Sequence, residues 1–382
     1  PNPLLLNDLS GVYIMDKEWM EANDALQPGH TTTGTVTYAS DHTNGTGPFR
    51  LESRTPDAKT VLKANSDWWD EPKHNLDTIE FTPIGSDATR VAALLSGEVD
   101  IITPSPLQDS ARLEAADGVT VLQNPSLRTI MLGLNHGDDA LHASPDLGSN
   151  PTQDVRVREA LWRAIDMDAI VAKVMRGKAR VAGLMIAPPI AGYVADDDSK
   201  PGYDLEKAQA LLDEAGYGDG FAMGLDCPND RYVNDEEICL AIASMWKAIG
   251  VDTKLTAQTK GNHFPKVDRG ETDAYMIGWA TLPAMDGYSP VRAMLATRDG
   301  DYGGNNPNGY SNARIDEIAR LSGSEVDEEK RQAMISEAIK IAKDEIAFIP
   351  LHQQPLSWAA ADNVELTQFP DNYFRAWHYK MN

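Results

Sequence analysis

Tyr275-Met276-Ile277-Gly278-Trp279-Ala280-Thr281-Leu282-Pro283-Ala284-Met285-Asp286-Gly287-Tyr288 begins as a short apolar strand of aromatic and β-branched character. It then breaks into a Gly/Pro loop that carries an indole, a carboxylate and a phenol. Loops that follow strands in α/β folds are where a rigid scaffold presents binding groups. Trp279 and Tyr288 supply flat apolar area with a polar handle, and Asp286 can anchor a cation or an amine. The same residues also read as a strand end whose Trp belongs to the core and whose Asp caps the next helix. The rest of the chain decides between these readings.

Outward from this stretch, strands and helices alternate. Leu76–Ile84 alternates as a strand, and Ser86-Asp87-Ala88 opens a helix that Gly97 stops. Val119–Leu122 and Thr129–Leu134 read as two strands, on either side of Pro125. The polar, Gly/Asp/Pro-rich segment from His136 to Asp154 reads as the crossing into a second lobe. Beyond it, Asp154 and Asp204 start helices, Phe221–Asp226 and Val251–Ala257 are strands around a helix Asn234–Ile249, and Glu328–Lys343 is a helix before a strand Phe348–His352. Alternation of this kind predicts an α/β fold with parallel or mixed sheets covered by helices. Asp67-Trp68-Trp69-Asp70 reads as a corner that seals a core, and Asp196-Asp197-Asp198 as a solvated loop.

At 382 residues the chain is long for one core, which favours two lobes. No apolar run reaches the ~18 residues of a membrane span. The net charge of −24 argues against nucleic acid and anionic membranes as partners, since both call for clustered Lys and Arg. It favours encounter with cationic or zwitterionic solutes, and a saline habitat explains it equally well. Cys227 and Cys239 have no zinc spacing and no His between them. They read either as one structural disulfide of an exported protein or as two buried thiols.

Catalytic patterns are sparse. There is no G-x-S-x-G elbow, no P-loop and no H-E-x-x-H, and Gly45-Thr46-Gly47 lacks the third glycine and following helix of a dinucleotide fingerprint. The eight histidines form no i, i+4 pair. No catalytic residue, metal or cofactor is expected. What remains is a set of solitary charges and aromatics at strand–loop boundaries: Arg128, Asn135, Arg231, Tyr232, Trp279, Asp286, Tyr288 and His352. Such a set suits a cleft around a polar or zwitterionic solute, with an Arg fork for a carboxylate and an Asp for an amine.

Several motifs, in order along the chain, resemble one family. They are Gly45-Thr46-Gly47-Pro48-Phe49, Ala64-Asn65-Ser66-Asp67-Trp68-Trp69, Arg90-Val91-Ala92-Ala93-Leu94-Leu95-Ser96-Gly97-Glu98-Val99-Asp100-Ile101, Leu132-Gly133-Leu134-Asn135, Asp154-Val155-Arg156-Val157-Arg158-Glu159-Ala160-Leu161 and Ile349-Pro350-Leu351-His352. The chain is thereby similar to the peptide/nickel/oligopeptide class (family 5) of extracytoplasmic solute-binding proteins that serve ABC importers. The resemblance implies a bilobed periplasmic-binding-protein fold of type II, with two mixed-sheet lobes joined by a hinge and closing on the ligand. It implies a periplasmic or lipid-anchored location and an inner-membrane permease as partner; a monomer and a periplasmic location are expected. It supports ligand-facing roles for Trp279 and for Arg231, which falls where peptide-binding members often carry a carboxylate-binding Arg.

The expected domains are residues 1–30 as the remnant of an N-terminal extra domain, 31–135 with 352–382 as the first lobe, and 136–351 as the second. The N-terminal part of the first lobe is expected to be absent. Dipeptide binders tend to carry an Asp soon after the Trp, where this chain has Leu282; Asp286 is the expected substitute. The function expected is capture of a peptide or peptide-like solute for import. A small amide or peptide hydrolase on the same scaffold, or a chemosensory binding protein, is the alternative.

Overall fold

The computed structural model describes residues 1–29 and 36–382, so the expected boundary at 30/31 lies outside the described residues. Its strands, in chain order, are β1 (Phe49–Thr55), β2 (Lys59–Ala64), β3 (Thr78–Phe81), β4 (Ile101–Ile102), β5 (Val119–Leu134), β6 (Arg180–Val181), β7 (Phe221–Pro228), β8 (Val251–Gln258), β9 (Ala274–Ala280), β10 (Phe348–Ala361), β11 (Val364–Glu365) and β12 (Lys380–Met381). The chain divides into two compact units, Pro1–Leu9 with Pro125–Pro355, and Ser10–Asn124 with Leu356–Asn382. The long strands β5 and β10 contribute residues to both. The division therefore falls earlier on β5 and later on β10 than the expected 135/136 and 351/352, and the stretch expected as one N-terminal remnant is divided at Leu9/Ser10.

In the larger unit β7 runs parallel to β8, from Phe221 opposite Val251 to Pro228 opposite Gln258. The connection between them is the helix Asp235–Lys247, as parallel strands require a crossover. On its other edge β7 pairs with β9 in parallel, at Leu225–Ala274 and Asp226–Tyr275. β9 then pairs antiparallel with β5, from Leu134–Ala274 to Arg128–Ala280. The sheet is therefore mixed. Its core gathers Met131, Tyr275 and Ile277 from the strands with Ile315 and Ile318 from the helix Ala313–Ser322, and Ile335 and Ile339 from the helix Glu328–Asp344. Each such aliphatic side chain, taken fully out of water, contributes about 1.5–3 kcal/mol. The helix starts expected at Ser86, Asp154 and Asp204 hold: each side chain accepts a hydrogen bond from a backbone N–H in the first turn.

The smaller unit carries the antiparallel ribbon β1-β2-β3, with Phe49 opposite Ala64 and Thr60 opposite Phe81. The C-terminal tail packs here. Trp358, Ala376 and Tyr379 form a cluster with Phe49, Leu76 and Ile79, and β11 pairs with β12.

Three local expectations change. The strands on either side of Pro125 are one strand, because a proline at an exposed position costs no ladder bond that the strand needs. Trp69 is 78% exposed and seals nothing, leaving only Trp68 partly covered. Asp198 is not solvated: its carboxylate accepts from the Gly183 and Leu184 N–H groups, the Tyr193 hydroxyl and the Arg180 guanidinium, and this holds it below the ordinary carboxylate range.

Candidate functional site

The pairing of β9 with β7 ends at Tyr275, so among the described residues the far end of β9 has one edge free of sheet partners. Tyr232 fills that gap. The Gly278 N–H donates to the Tyr232 hydroxyl at 2.7 Å, while the Gly278 carbonyl accepts from Arg128 Nη1 at 2.9 Å. Only glycine fits here. A β-carbon on residue 278 would stand 2.6 Å from Ile130 Cδ1, 2.8 Å from the Tyr232 ring and 3.0 Å from Arg128 Cδ.

Tyr232 is buried and is itself held from below. The Asp235 carboxylate, at the start of the helix Asp235–Lys247, accepts from the backbone N–H of Arg231 at 3.0 Å, Tyr232 at 2.9 Å and Glu236 at 3.1 Å. Two guanidinium groups flank the phenol. The Arg231 carbon lies 5.2 Å from the ring centroid and the Arg128 carbon 5.8 Å, within cation–π range. Burial, followed by the like charge of Arg231, lowers the pKa of the Arg128 guanidinium. Among the described residues neither group is ion-paired with a carboxylate. Three of the expected site residues, Arg128, Arg231 and Tyr232, therefore meet in one cationic corner.

The loop after β9 leads away from this corner. Trp279 sits opposite Thr129 across the sheet, and its Nε1 donates to Ser289 Oγ at 3.3 Å. Leu282 packs against the core. The loop then returns at Asp286, whose carboxylate takes two bonds from Arg331, at 2.6 and 2.7 Å, and a third from the Tyr288 N–H at 2.8 Å. A bridge between Ala191 and Asp286 fixes the other side, through Ala191 N–H to the Met285 carbonyl and Gly287 N–H to the Ala191 carbonyl. Beside this loop lies a cavity of about 540 Å³ bounded by Leu282, Pro283, Tyr288, Arg292, Asp301 and Asp8, among others. Gly278 and Leu282 are four positions apart, so at most about 14 Å of chain joins the cationic corner to the cavity wall.

The remaining expected residues stand apart from this arrangement. Asn135 is a buried turn hub: its side-chain oxygen accepts from the Gly137 and Asp138 N–H groups, its amide donates to Asp138, and its carbonyl accepts from Asn150 and Thr152. His352 is fully buried opposite Val181 in β6, neither ring nitrogen has a hydrogen-bond partner among the described residues, and burial pushes its pKa down to about 4. It is a neutral core imidazole. Cys227 and Cys239 are joined in a disulfide between β7 and the helix that follows. The expected amine anchor, Asp286, is instead neutralised by a guanidinium of the chain. Sequence reasoning missed Gly278, Asp235 and Arg331. A glycine inside an apolar strand was the one local signal available, since it marks close approach of another group.

The family model of bacterial extracellular solute-binding proteins, family 5, matches residues 2–301. The dipeptide-binding protein of Escherichia coli (strain K12) is 33% identical over 239 residues, covering 62% of this chain and 42% of that protein. The oligopeptide-binding protein OppA of Bacillus subtilis (strain 168) is 25% identical over 366 residues, covering 90% of this chain and 62% of that one. The chain thus spans less than two thirds of either relative's length. Among solved structures, the ABC transporter-associated periplasmic binding protein DppA of Helicobacter pylori, in complex with the peptide STSA, matches with a TM-score of 0.80 at 22% identity, over 100% of this chain and 70% of that one. A dipeptide binding protein from Pseudoalteromonas sp. SM9913, in complex with Met-Leu, gives the same score at 19% identity, over 100% and 72%. These structures establish the α/β periplasmic-binding-protein fold. The hydrolase and chemosensory readings find no support in the comparisons. From the family model, the chain belongs to the bacterial extracellular solute-binding proteins of family 5.

Proposed function

We propose that this protein is an extracytoplasmic receptor that captures a peptide or peptide-like solute and hands it to the permease of an ABC importer, acting in the periplasm as a monomer. The observation that carries the reading is the cationic corner of Arg128, Arg231 and Tyr232, set within one loop of a cavity of about 540 Å³. That volume falls inside the range of about 300–1,000 Å³ usual for small-molecule sites. A carboxylate matches a guanidinium fork in geometry and charge, and such charge-assisted bonds are about twice as strong as neutral ones. Trp279 and Tyr288 offer flat faces to the rest of the solute. The names of the relatives agree with this reading, as dipeptide- and oligopeptide-binding proteins.

Native mass spectrometry of the purified protein, followed by gentle denaturation, tests the proposal. Release of a peptide or amino-acid conjugate of matching mass supports it. An empty protein that shows no thermal shift with a library of di- to tetrapeptides and conjugates sinks it. Sedimentation of the same sample at several concentrations tests the monomer.

A further inference from the structure

We infer that the Cys227–Cys239 disulfide and the Asp235 carboxylate form one brace that seats Arg231 and Tyr232 in the solute site, so that affinity depends on both. This rests on the receptor reading above and adds positioning residues to it. β7 ends at Pro228 and the next helix begins at Asp235, so Arg231 and Tyr232 lie on the connection between them, residues 229–234. The strand end of that connection is tied down locally. The Asn229 N–H donates to the Gln258 carbonyl at 3.0 Å, and Asp230 accepts the Lys260 N–H at 2.6 Å. Asp230, the acid next to Arg231, also pairs with the Lys260 ammonium at 4.0 Å.

The helix end depends on Asp235. Its buried carboxylate accepts the Arg231 and Tyr232 N–H groups at 3.0 and 2.9 Å, so the place of that one side chain sets where both residues sit. Asp235 and Cys239 are four positions apart in the helix Asp235–Lys247 and share a face, one turn from each other. The disulfide, with both cysteines buried, therefore pins the turn that carries Asp235 to the end of β7. Farther along, the helix has anchors of its own. Ile242 and Trp246 are buried, and Trp246 Nε1 donates to the Leu161 carbonyl at 2.9 Å. Loss of the disulfide thus frees the first turn without undocking the helix. The seat itself has little slack, since the Tyr232 hydroxyl has to meet the Gly278 N–H at 2.7 Å. A binding group works only when held to within about 0.5 Å of its place. The disulfide fixes the helix turn, and the carboxylate passes that position on to the connection.

The test uses the whole chain with Ala-Phe and Ala-Leu-Phe as probes. Titration calorimetry reads affinity, and amide hydrogen exchange at Gly278 reads the seat of Tyr232. Three variants are compared below their melting temperatures: Asp235→Ala, Asp235→Asn, and Cys227→Ala with Cys239→Ala. Asp235→Ala and the double cysteine variant should each lose about ten-fold or more in affinity, the equivalent of one charge-assisted bond, together with protection at the Gly278 amide. Asp235→Asn keeps an oxygen for the two N–H groups and should stay within about three-fold of wild type, a rescue that a general loss of stability would not show. Wild-type affinity in Asp235→Ala or in the double cysteine variant overturns the brace and leaves the receptor reading standing. So does an Asp235→Asn variant as weak as Asp235→Ala, or lost affinity with Gly278 protection intact. Failure of the wild type to bind either probe counts against the receptor reading itself, and the inference falls with it.

Discussion

The carboxylate of Asp286 and the guanidinium of Arg331 form a buried two-point ion pair across 45 residues of sequence, with oxygen–nitrogen distances of 2.6 and 2.7 Å. Arg331 also donates from Nε to the Ser322 carbonyl at 3.1 Å and lies 5.8 Å from the centroid of the Tyr288 ring. One guanidinium thus ties together the loop after β9, the end of the helix Ala313–Ser322 and the start of the helix Glu328–Asp344. The shape of the cavity wall at Tyr288 depends on it.

Removing one member of this pair leaves the other charged, buried and alone. Asp286→Leu or Arg331→Met singly should therefore cost about 3–5 kcal/mol of stability, whereas the double variant should recover most of that loss. Urea denaturation of the three variants checks this. A double variant as unstable as either single one would mean that the pair is not the interaction at stake.

The disulfide makes a separate prediction. Cys227 and Cys239 close a loop at a sequence separation of 12, for which chain-entropy arguments give about 3 kcal/mol. Cys227→Ser with Cys239→Ser should lower the melting temperature by several degrees, and dithiothreitol should do the same to the wild type. Thiol titration of the denatured, unreduced protein should find no free thiol; two reactive thiols would refute the pairing.

Gly278 offers the sharpest local probe of the cationic corner. In Gly278→Ala the new methyl meets Ile130, Tyr232 and Arg128 at 3.0 Å or less, and overpacking of this kind costs about 1–3 kcal/mol. Because two of those neighbours belong to the proposed carboxylate site, affinity for a carboxylate solute should fall with the stability. Binding unchanged from wild type would place the solute elsewhere.

How much of this was legible in the sequence follows the range of each interaction. Helix starts at Ser86, Asp154 and Asp204 are local devices, settled within three residues, and they read correctly. The strand–loop stretch from Tyr275 is legible for the same reason, since a short apolar run and a Pro/Gly break are local. Arg128, Arg231 and Tyr232 stand out as charges and aromatics at strand ends, but their meeting at Gly278 depends on the pairing of β5 with β9, which sequence spacing does not reveal. Asp286 shows the limit most plainly. An Asp beside a Trp in a loop looks free until a partner 45 residues away closes on it. Asp198 misled in the same way, its partners lying on β6 and the segment after it. β10 reads as ending at His352 because Gln353, Gln354 and Pro355 break the apolar run, yet it continues to Ala361. The pairing of Ala359 and Ala360 with β4 supports that extension, and it is non-local.

His352 carries the pH dependence that is easiest to isolate. Its imidazole is fully buried without a hydrogen-bond partner among the described residues, and burial lowers its pKa from 6.5 to about 4. Above pH 6.5 the ring is neutral in both folded and unfolded chains, so it imposes no penalty. As pH falls from 6.5 towards 4 the unfolded chain takes up a proton that the folded chain refuses, and stability declines with acid throughout that window. Below the folded value the loss levels off, at on the order of 3 kcal/mol for this one group. His352→Leu removes both the proton and two unsatisfied nitrogens. It should leave stability at pH 7 equal or higher, and flatten the slope of urea midpoint against pH between 6.5 and 4. A variant with the same acid slope as wild type would assign that slope to other groups, of which His136, lowered to about 3 by burial and by the charge of Arg158, is the first to examine.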